Sequence, residues 1–349
     1  MANMKKKIMP TAVLATICLC AASLFFTGCK KDQSLNERSM YFWKSSLKLD
    51  QEEKSFVKKH NVKKIYAKFF DVVESNSGKI DEYGLSPIAT LKFEEELPSG
   101  VQIVPVVFIS ESCLDGNNKY YFKFELPKLL SYRVLQMCET HDIPVKEVQI
   151  DFDWTETNRE DYYEMLEELR KILAEKNVAL SVTVRLHQLR MEEPPCDSGV
   201  LMLYNTGNFR DINCKNSILS YEDASPYIKN LSSYKLPLRL AFPNFSWYLC
   251  FKGNEFAAIS YNVDTSDKKS FKDKGDGSFS VLQEIYLKNC SLTEGDTVRY
   301  VKADFEEISK VLEEIKQVNK DLASNNILFD LNSRNLKNLG GSEYEKIFN

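Results

Sequence analysis

Residues 145–170, VKEVQIDFDWTETNREDYYEMLEELR, change their hydrophobic period halfway along. Val148, Ile150, Phe152 and Trp154 alternate with Gln149, Asp151 and Asp153, the period of two that marks a β-strand. Tyr162, Met165, Leu166, Leu169, Ile172 and Leu173 then recur at helical spacing. Between them Thr157-Asn158-Arg159-Glu160 reads as a capping box, with Thr157 or Asn158 as the N-cap. A strand therefore runs directly into a helix. Asp151 and Asp153 share one face of its carboxyl end, about 6.5 Å apart at a rise of about 3.3 Å per residue. Two acids on one strand face are costly to bury without partners or a task. In barrels and open α/β sheets, that end of a strand is where ligands bind.

The alternation continues on both sides. Strands are expected at 40–43, 64–73, 101–109, 178–186, 200–204, 238–242 and 327–331, besides the one ending at the paired acids. Asp50-Gln51-Glu52-Glu53 caps a helix carrying Phe56 and Val57, and further helices are expected at 126–138 and 304–322. Residues 252–297 form a long, partly polar insertion after strand seven. Eight strands separated by helices or loops predict an α/β protein, a single (β/α)8 TIM barrel over 39–349 with 252–297 packed on its rim. A doubly wound open sheet is the alternative. Against a dinucleotide fold, the junctions after strands one, two and four are poor in glycine, and the chain has no GxGxxG or P-loop.

The first 28 residues read as an address. Lys5, Lys6 and Lys7 precede an apolar run from Ile8 to Phe26, and Gly28-Cys29 follows. The pattern resembles a bacterial lipoprotein signal peptide. That resemblance implies cleavage before Cys29, lipid on its sulfur, a tether over 29–38 and a body held at a membrane of the cell envelope, the outer membrane being expected. Losing three lysines and no acids takes the net charge from −4 to −7. Nothing in that balance points to nucleic acid, and no basic stripe occurs. Beyond Cys29 six cysteines remain, widely spaced and without CxxC, and the three histidines are scattered. Neither a zinc centre nor another cofactor is expected, and at most one or two disulfides. The protein is expected to be a monomer.

On a barrel, the βα loops would collect Lys68 and Asp71, Glu111, Asp151 with Asp153 and Glu156, Arg185 and His187, Tyr204 and Asn205, Asn244 with Trp247, and Asn332 with Arg334. Strand five puts Ser181, Thr183 and Arg185 on one face and Leu180, Val182 and Val184 on the other. The polar face is expected to look inward, with Arg185 as the cation that keeps the strand-four acids ionised. Acids beside Trp43, Trp154 and Trp247 are tools for sugars, because aromatic rings stack on pyranose C–H faces and carboxylates bind hydroxyls.

These residues carry a family resemblance. Val148-Gln-Ile-Asp151-Phe-Asp153-Trp154 resembles the DxxDxDxE strand of family-18 glycoside hydrolases, the chitinases and their relatives. Met202-Leu-Tyr204-Asn205 resembles their strand-six Met-x-Tyr-Asp, and Pro243-Asn-Phe-Ser-Trp247 their strand-seven Pro-x-Tyr-Gly element. Strands four to seven are similar to bacterial TIM-barrel lipoproteins related to those hydrolases, a domain-of-unknown-function family. Three positions depart: Thr155 stands where the pattern has its catalytic acid, Val148 where it has its first Asp, and Asn205 where strand six has Asp. Threonine cannot supply the proton that substrate-assisted cleavage needs.

The resemblance thus implies a carbohydrate ligand and leaves two functions, beside the reading of a scaffold for an envelope complex with no ligand. One is a hydrolase-like barrel acting on a polysaccharide or glycoconjugate, with Asp153 and Glu156 as the carboxylate pair and Asp151 tuning Asp153. Tyr204, Asn205, Arg185, Trp247, Trp154 and Glu111 would bind the substrate. The other is a lipoprotein that binds glycan after losing the catalytic acid.

Overall fold

The structure, a computed structural model, describes residues 37–74, 84–114, 118–324 and 326–349. The expected signal peptide, Cys29 and the tether up to residue 36 lie outside these residues. Eight parallel strands follow in order: β1 Ser39–Phe42, β2 Lys64–Glu74, β3 Gln102–Ile109, β4 Glu147–Asp151, β5 Ala179–Arg185, β6 Ser198–Met202, β7 Leu238–Pro243 and β8 Ile327–Phe329. Each pairs with the next. β1 pairs with both β2 and β8, with Met40 opposite Ile65 on one side and Leu328 on the other, so the sheet closes into a (β/α)8 barrel.

The outer helices are α1 Gln51–Lys59, α2 Leu126–Thr140, α3 Arg159–Ala174, α4 Tyr221–Ile228, α5 Phe305–Val318 and α6 Gly341–Phe348. α1 begins on a true capping box: Asp50 accepts from the Glu53 N–H at 2.9 Å, and Glu53 accepts from the Asp50 N–H at 3.1 Å. α3 buries Tyr162, Met165, Leu166, Leu169 and Leu173, the stripe legible in its sequence. Its start differs from expectation. Asn158 is the N-cap, but its side-chain oxygen accepts from the Thr155 N–H at 2.7 Å, ordering the loop after β4 instead of the first helical turn. After β2 the described residues give an antiparallel strand, Leu85–Ile88, and after β5 only the 3-10 turn Leu186–Arg190 follows.

The insertion is larger than expected. It is a five-stranded antiparallel sheet in the order 255–260, 246–252, 297–302, 278–281, 271–273. The strand Ser246–Lys252, which lies ahead of the expected start at 252, begins three residues after β7. Period two divides this strand between two cores. Trp247, Leu249 and Phe251 join the barrel's core, while Cys250 joins a smaller cluster with Val263, Phe271, Val281, Leu292 and Val298.

Candidate functional site

β4 and β5 lie side by side with Gln149 opposite Ser181. Their inward residues form a hydrogen-bonded column up the barrel. At its base Glu147 accepts from the Ser181 hydroxyl at 2.7 Å and from Tyr66 at 3.2 Å, and Arg239 donates to the Tyr66 oxygen at 2.7 Å. Midway, Tyr41 donates to Gln149 at 2.7 Å. At the top, Asp151 accepts from the Thr183 hydroxyl at 2.7 Å and from Arg185 Nη2 at 3.3 Å. A barrel interior filled with polar groups survives because they satisfy one another.

β4 ends at Asp151, so Asp153 stands on the loop above. Its carboxylate pairs with Arg185 Nε, and its side chain is 47% exposed against 8% for Asp151. One guanidinium thus bridges a buried acid and an open one. Burial pushes the Asp151 carboxyl up, with Arg185 and Thr183 pulling it back and Asp153 and Asp71 adding to the rise. The Arg185 guanidinium meets the opposite balance: burial would lower its pKa, but Asp151 and Asp153 hold it protonated.

A second ion pair sits beside the first. β2 carries a bulge between Lys68 and Phe70 in its pairing with β3. The extra residue lets Lys68 and Asp71 share a face, where they pair at 2.9 Å. Lys68 Nζ also lies 5.6 Å from the centre of the Trp43 ring.

Aromatic rings complete the mouth. Phe329, at the end of β8, packs against Tyr41 at 5.6 Å, Trp43 at 5.6 Å and Tyr204 at 5.0 Å between ring centres. Trp43 and Phe329 are only partly buried. Tyr204 is buried, its hydroxyl raised in pKa by that burial, with Arg185 acting to lower it, and it donates to Met202 Sδ at 3.0 Å. Asn205 follows in the left-handed region (φ 56°), exposed at the same rim. Phe329 was not singled out from the sequence; within the run ILFDL it looks like any strand residue, and only its parity with Tyr41 across β1 marks it as inward.

Several expected site residues lie elsewhere. Trp154 is fully buried, packed edge-on to Tyr163 at 5.3 Å and near Tyr162, so it serves the packing of α3 and has no face for a ligand. The alternation that turns Asp151 inward turns Trp154 outward, toward the helix. Trp247 is 6% exposed, enclosed by Phe245 at 5.3 Å and Phe209 at 5.9 Å, and belongs to the junction between barrel and rim sheet. Glu156 points to solvent, its side chain 61% exposed and paired at 3.0 Å with Arg159 on the first turn of α3, away from the Arg185 fork that holds Asp153. Glu111 is exposed on the turn Glu111–Leu114 and shares no hydrogen bond with the acid cluster. At the position of the family's acid, the Thr155 hydroxyl bonds that of Thr157 at 2.8 Å. His187 stays at the mouth, exposed on the turn after β5; burial of its ring lowers its pKa, with Asp153 raising it and Arg185 lowering it. Among the described residues, no group of three or more His, Cys, Asp or Glu converges in a way that would hold a metal ion.

The same barrel occurs in solved structures of low sequence identity. A chitinase from Chromobacterium violaceum ATCC 12472 superposes with a TM-score of 0.52 at 10% identity, over 89% of this chain and 98% of that one. The spore cortex-lytic enzyme SleL of Bacillus cereus gives 0.50 at 14%, over 89% of this chain and 75% of that one. A class V chitinase from Nicotiana tobaccum gives 0.50 at 12%, over 90% and 99%. At such identities the likeness is one of fold. No protein-family model matches the chain, and no curated protein matches it.

Proposed function

We propose that this chain is an exported, lipid-anchored member of the family-18-like barrels that holds a polysaccharide or glycoconjugate at its mouth without cleaving it. The observation that carries the reading is the Arg185 fork: both strand-four acids are tied to one guanidinium, while Thr155 occupies the place of the proton donor. An acid that must protonate a glycosidic oxygen has to be uncharged and free to reach it. Asp153, half exposed and already charge-paired, is suited to accept hydrogen bonds from sugar hydroxyls. Trp43 and Phe329 offer partly exposed ring faces for pyranose C–H surfaces. Lipid on Cys29, with the tether over 29–38, would hold this mouth at the cell envelope, on the outer membrane.

Hydrolysis is the second reading, favoured by one observation: burial raises the Asp151 carboxyl, the direction a general acid requires. The two separate on a glycan array probed with the body of the protein from Ser34 onward, followed by product analysis on each hit. Retention of a glycan that is recovered intact supports the binding reading. Shortened products that disappear on Asp151→Asn would replace it with the hydrolytic one.

A further inference from the structure

The rim sheet holds a chemistry the mouth does not use. Cys250 lies mid-strand in 246–252, between Ala258 and Val298 on the neighbouring strands, and is wholly buried in the small rim core. Forty residues later, the hairpin that pairs Ile285 with Leu292 brings Cys290 against the same core. Two hydrogen bonds fix that turn: Leu287 N–H to the Cys290 carbonyl at 2.8 Å, and Asn289 Nδ2 to the Ile259 carbonyl at 2.9 Å. The Cys290 thiol lies close enough to the Cys250 thiol to add to the rise in its pKa that burial causes. Both thiols therefore pack into one small, largely apolar core.

We propose that Cys250 and Cys290 are a disulfide pair that closes the rim sheet on itself when the chain meets an oxidising compartment. The bridge would enclose residues 250–290, which include the strands 255–260, 271–273 and 278–281. This small core is poorly placed to hold three short strands unaided, and a link across so long a segment restricts the unfolded chain most. Cys290 is half-buried and Cys250 fully so, its thiol pushed up to about 12 by burial and by Cys290. The order of events follows. The Cys290 thiolate attacks one sulfur of an oxidised dithiol donor or of glutathione disulfide, releasing one thiol. The Cys250 sulfur, losing its proton, then attacks the mixed disulfide at Cys290 and releases the second. The protein loses two protons and two electrons, and the donor disulfide takes them up to become two thiols. In the cell this rests on the export proposed above; the pairing itself does not.

The test uses the full chain, purified reduced in detergent and equilibrated with glutathione disulfide. Free thiols are then alkylated under denaturing conditions and the peptides mapped by mass. The expected result is one cross-linked peptide joining Cys250 to Cys290, two hydrogens lighter than its parts, and a higher unfolding midpoint for the oxidised than for the reduced protein. In Cys250→Ala, Cys290 should instead accumulate as a stable glutathione adduct, and oxidation should no longer raise the midpoint. Separate alkylation of Cys250 and Cys290 in the parent, or a persistent glutathione adduct at Cys290 there, would overturn the pairing. Failure in these purified samples counts against the pairing alone. A chain that bridges in glutathione yet is isolated reduced from cells counts against the export reading.

Discussion

Arg185 Nη2 lies 3.3 Å from Asp151 Oδ1, and only 5% of Asp151 reaches solvent. Removing the guanidinium strands a buried carboxylate. Arg185→Ala should therefore cost about 3–5 kcal/mol of stability at neutral pH, the scale of a broken buried pair. The half-exposed Asp153 adds little to that figure. The sign of the pH dependence is fixed by Asp151. Its folded pKa is raised, so its contribution to stability is fully present below the unfolded pKa and lost as pH rises through the folded one. The Arg185→Ala penalty should accordingly shrink in acid, and Asp151→Asn in the same chain should relieve most of it. Urea unfolding of the two single variants and the double variant, at neutral and acidic pH, measures both effects.

Trp43 and Trp154 should part company. Trp154→Ala opens a void beneath α3 and should cost about 3–5 kcal/mol in urea unfolding. At a working temperature where that variant remains folded, its glycan affinity should match the parent's. Trp43→Ala should do the reverse, weakening binding about tenfold, or ~1.4 kcal/mol, with a small effect on the unfolding midpoint. Equal loss of affinity in both variants would show that Trp154 senses the ligand.

The C-terminal helix should loosen in acid. His60 is 2% exposed, and its Nδ1 lies 2.6 Å from Glu345 Oε1 on α6, whose other carboxylate oxygen, Oε2, Arg38 grips at 2.8 Å. Burial lowers the His60 pKa; Glu345 acts against that shift, and Lys59 and Arg38 with it. Glu345 is itself lowered, chiefly by Arg38. Both folded values lie below the unfolded ones. Their stability is present above the unfolded pKa values, about 6.5 for His and 4.3 for Glu, and lost as pH falls through the folded ones. Between pH 7.5 and pH 5, the parent's thermal midpoint should drop more than that of His60→Gln. Parallel slopes would remove His60 from the account.

Metabolic labelling with a fatty acid checks the anchor. The parent should take up label and Cys29→Ala should not. Equal labelling of both would end the lipoprotein reading.

The sequence carried the barrel plainly because period two and period 3.6 alternate along it with few interruptions. The inward face of β5 was legible for the same reason, and with it the pairing of Arg185 to the acids. Two things stayed hidden. One is where a strand ends: β4 stops at Asp151 and Asp153 lies on a loop, while Trp154 keeps the outward parity its alternation implies and is core under α3. Bulges and strand boundaries also leave no local mark. Lys68 and Asp71, three residues apart, share a face only because of the β2 bulge. The expected bounds, 238–242 for strand seven and 252–297 for the insertion, pass over Ser246–Lys252, whose Trp247, Leu249 and Phe251 belong to the barrel's own core.

The central claim is that the Arg185-tethered acids bind sugar and do not cut it. Titration calorimetry of Asp153→Asn against the parent, on a glycan identified from the array, tests it most directly when paired with mass analysis of the glycan recovered from the cell. The account predicts that the substitution weakens affinity by about 1.5–3 kcal/mol, the scale of a hydrogen bond to a charged group, and that parent and variant both return the glycan intact. Unchanged affinity in Asp153→Asn, or shortened glycan from the parent, would contradict it.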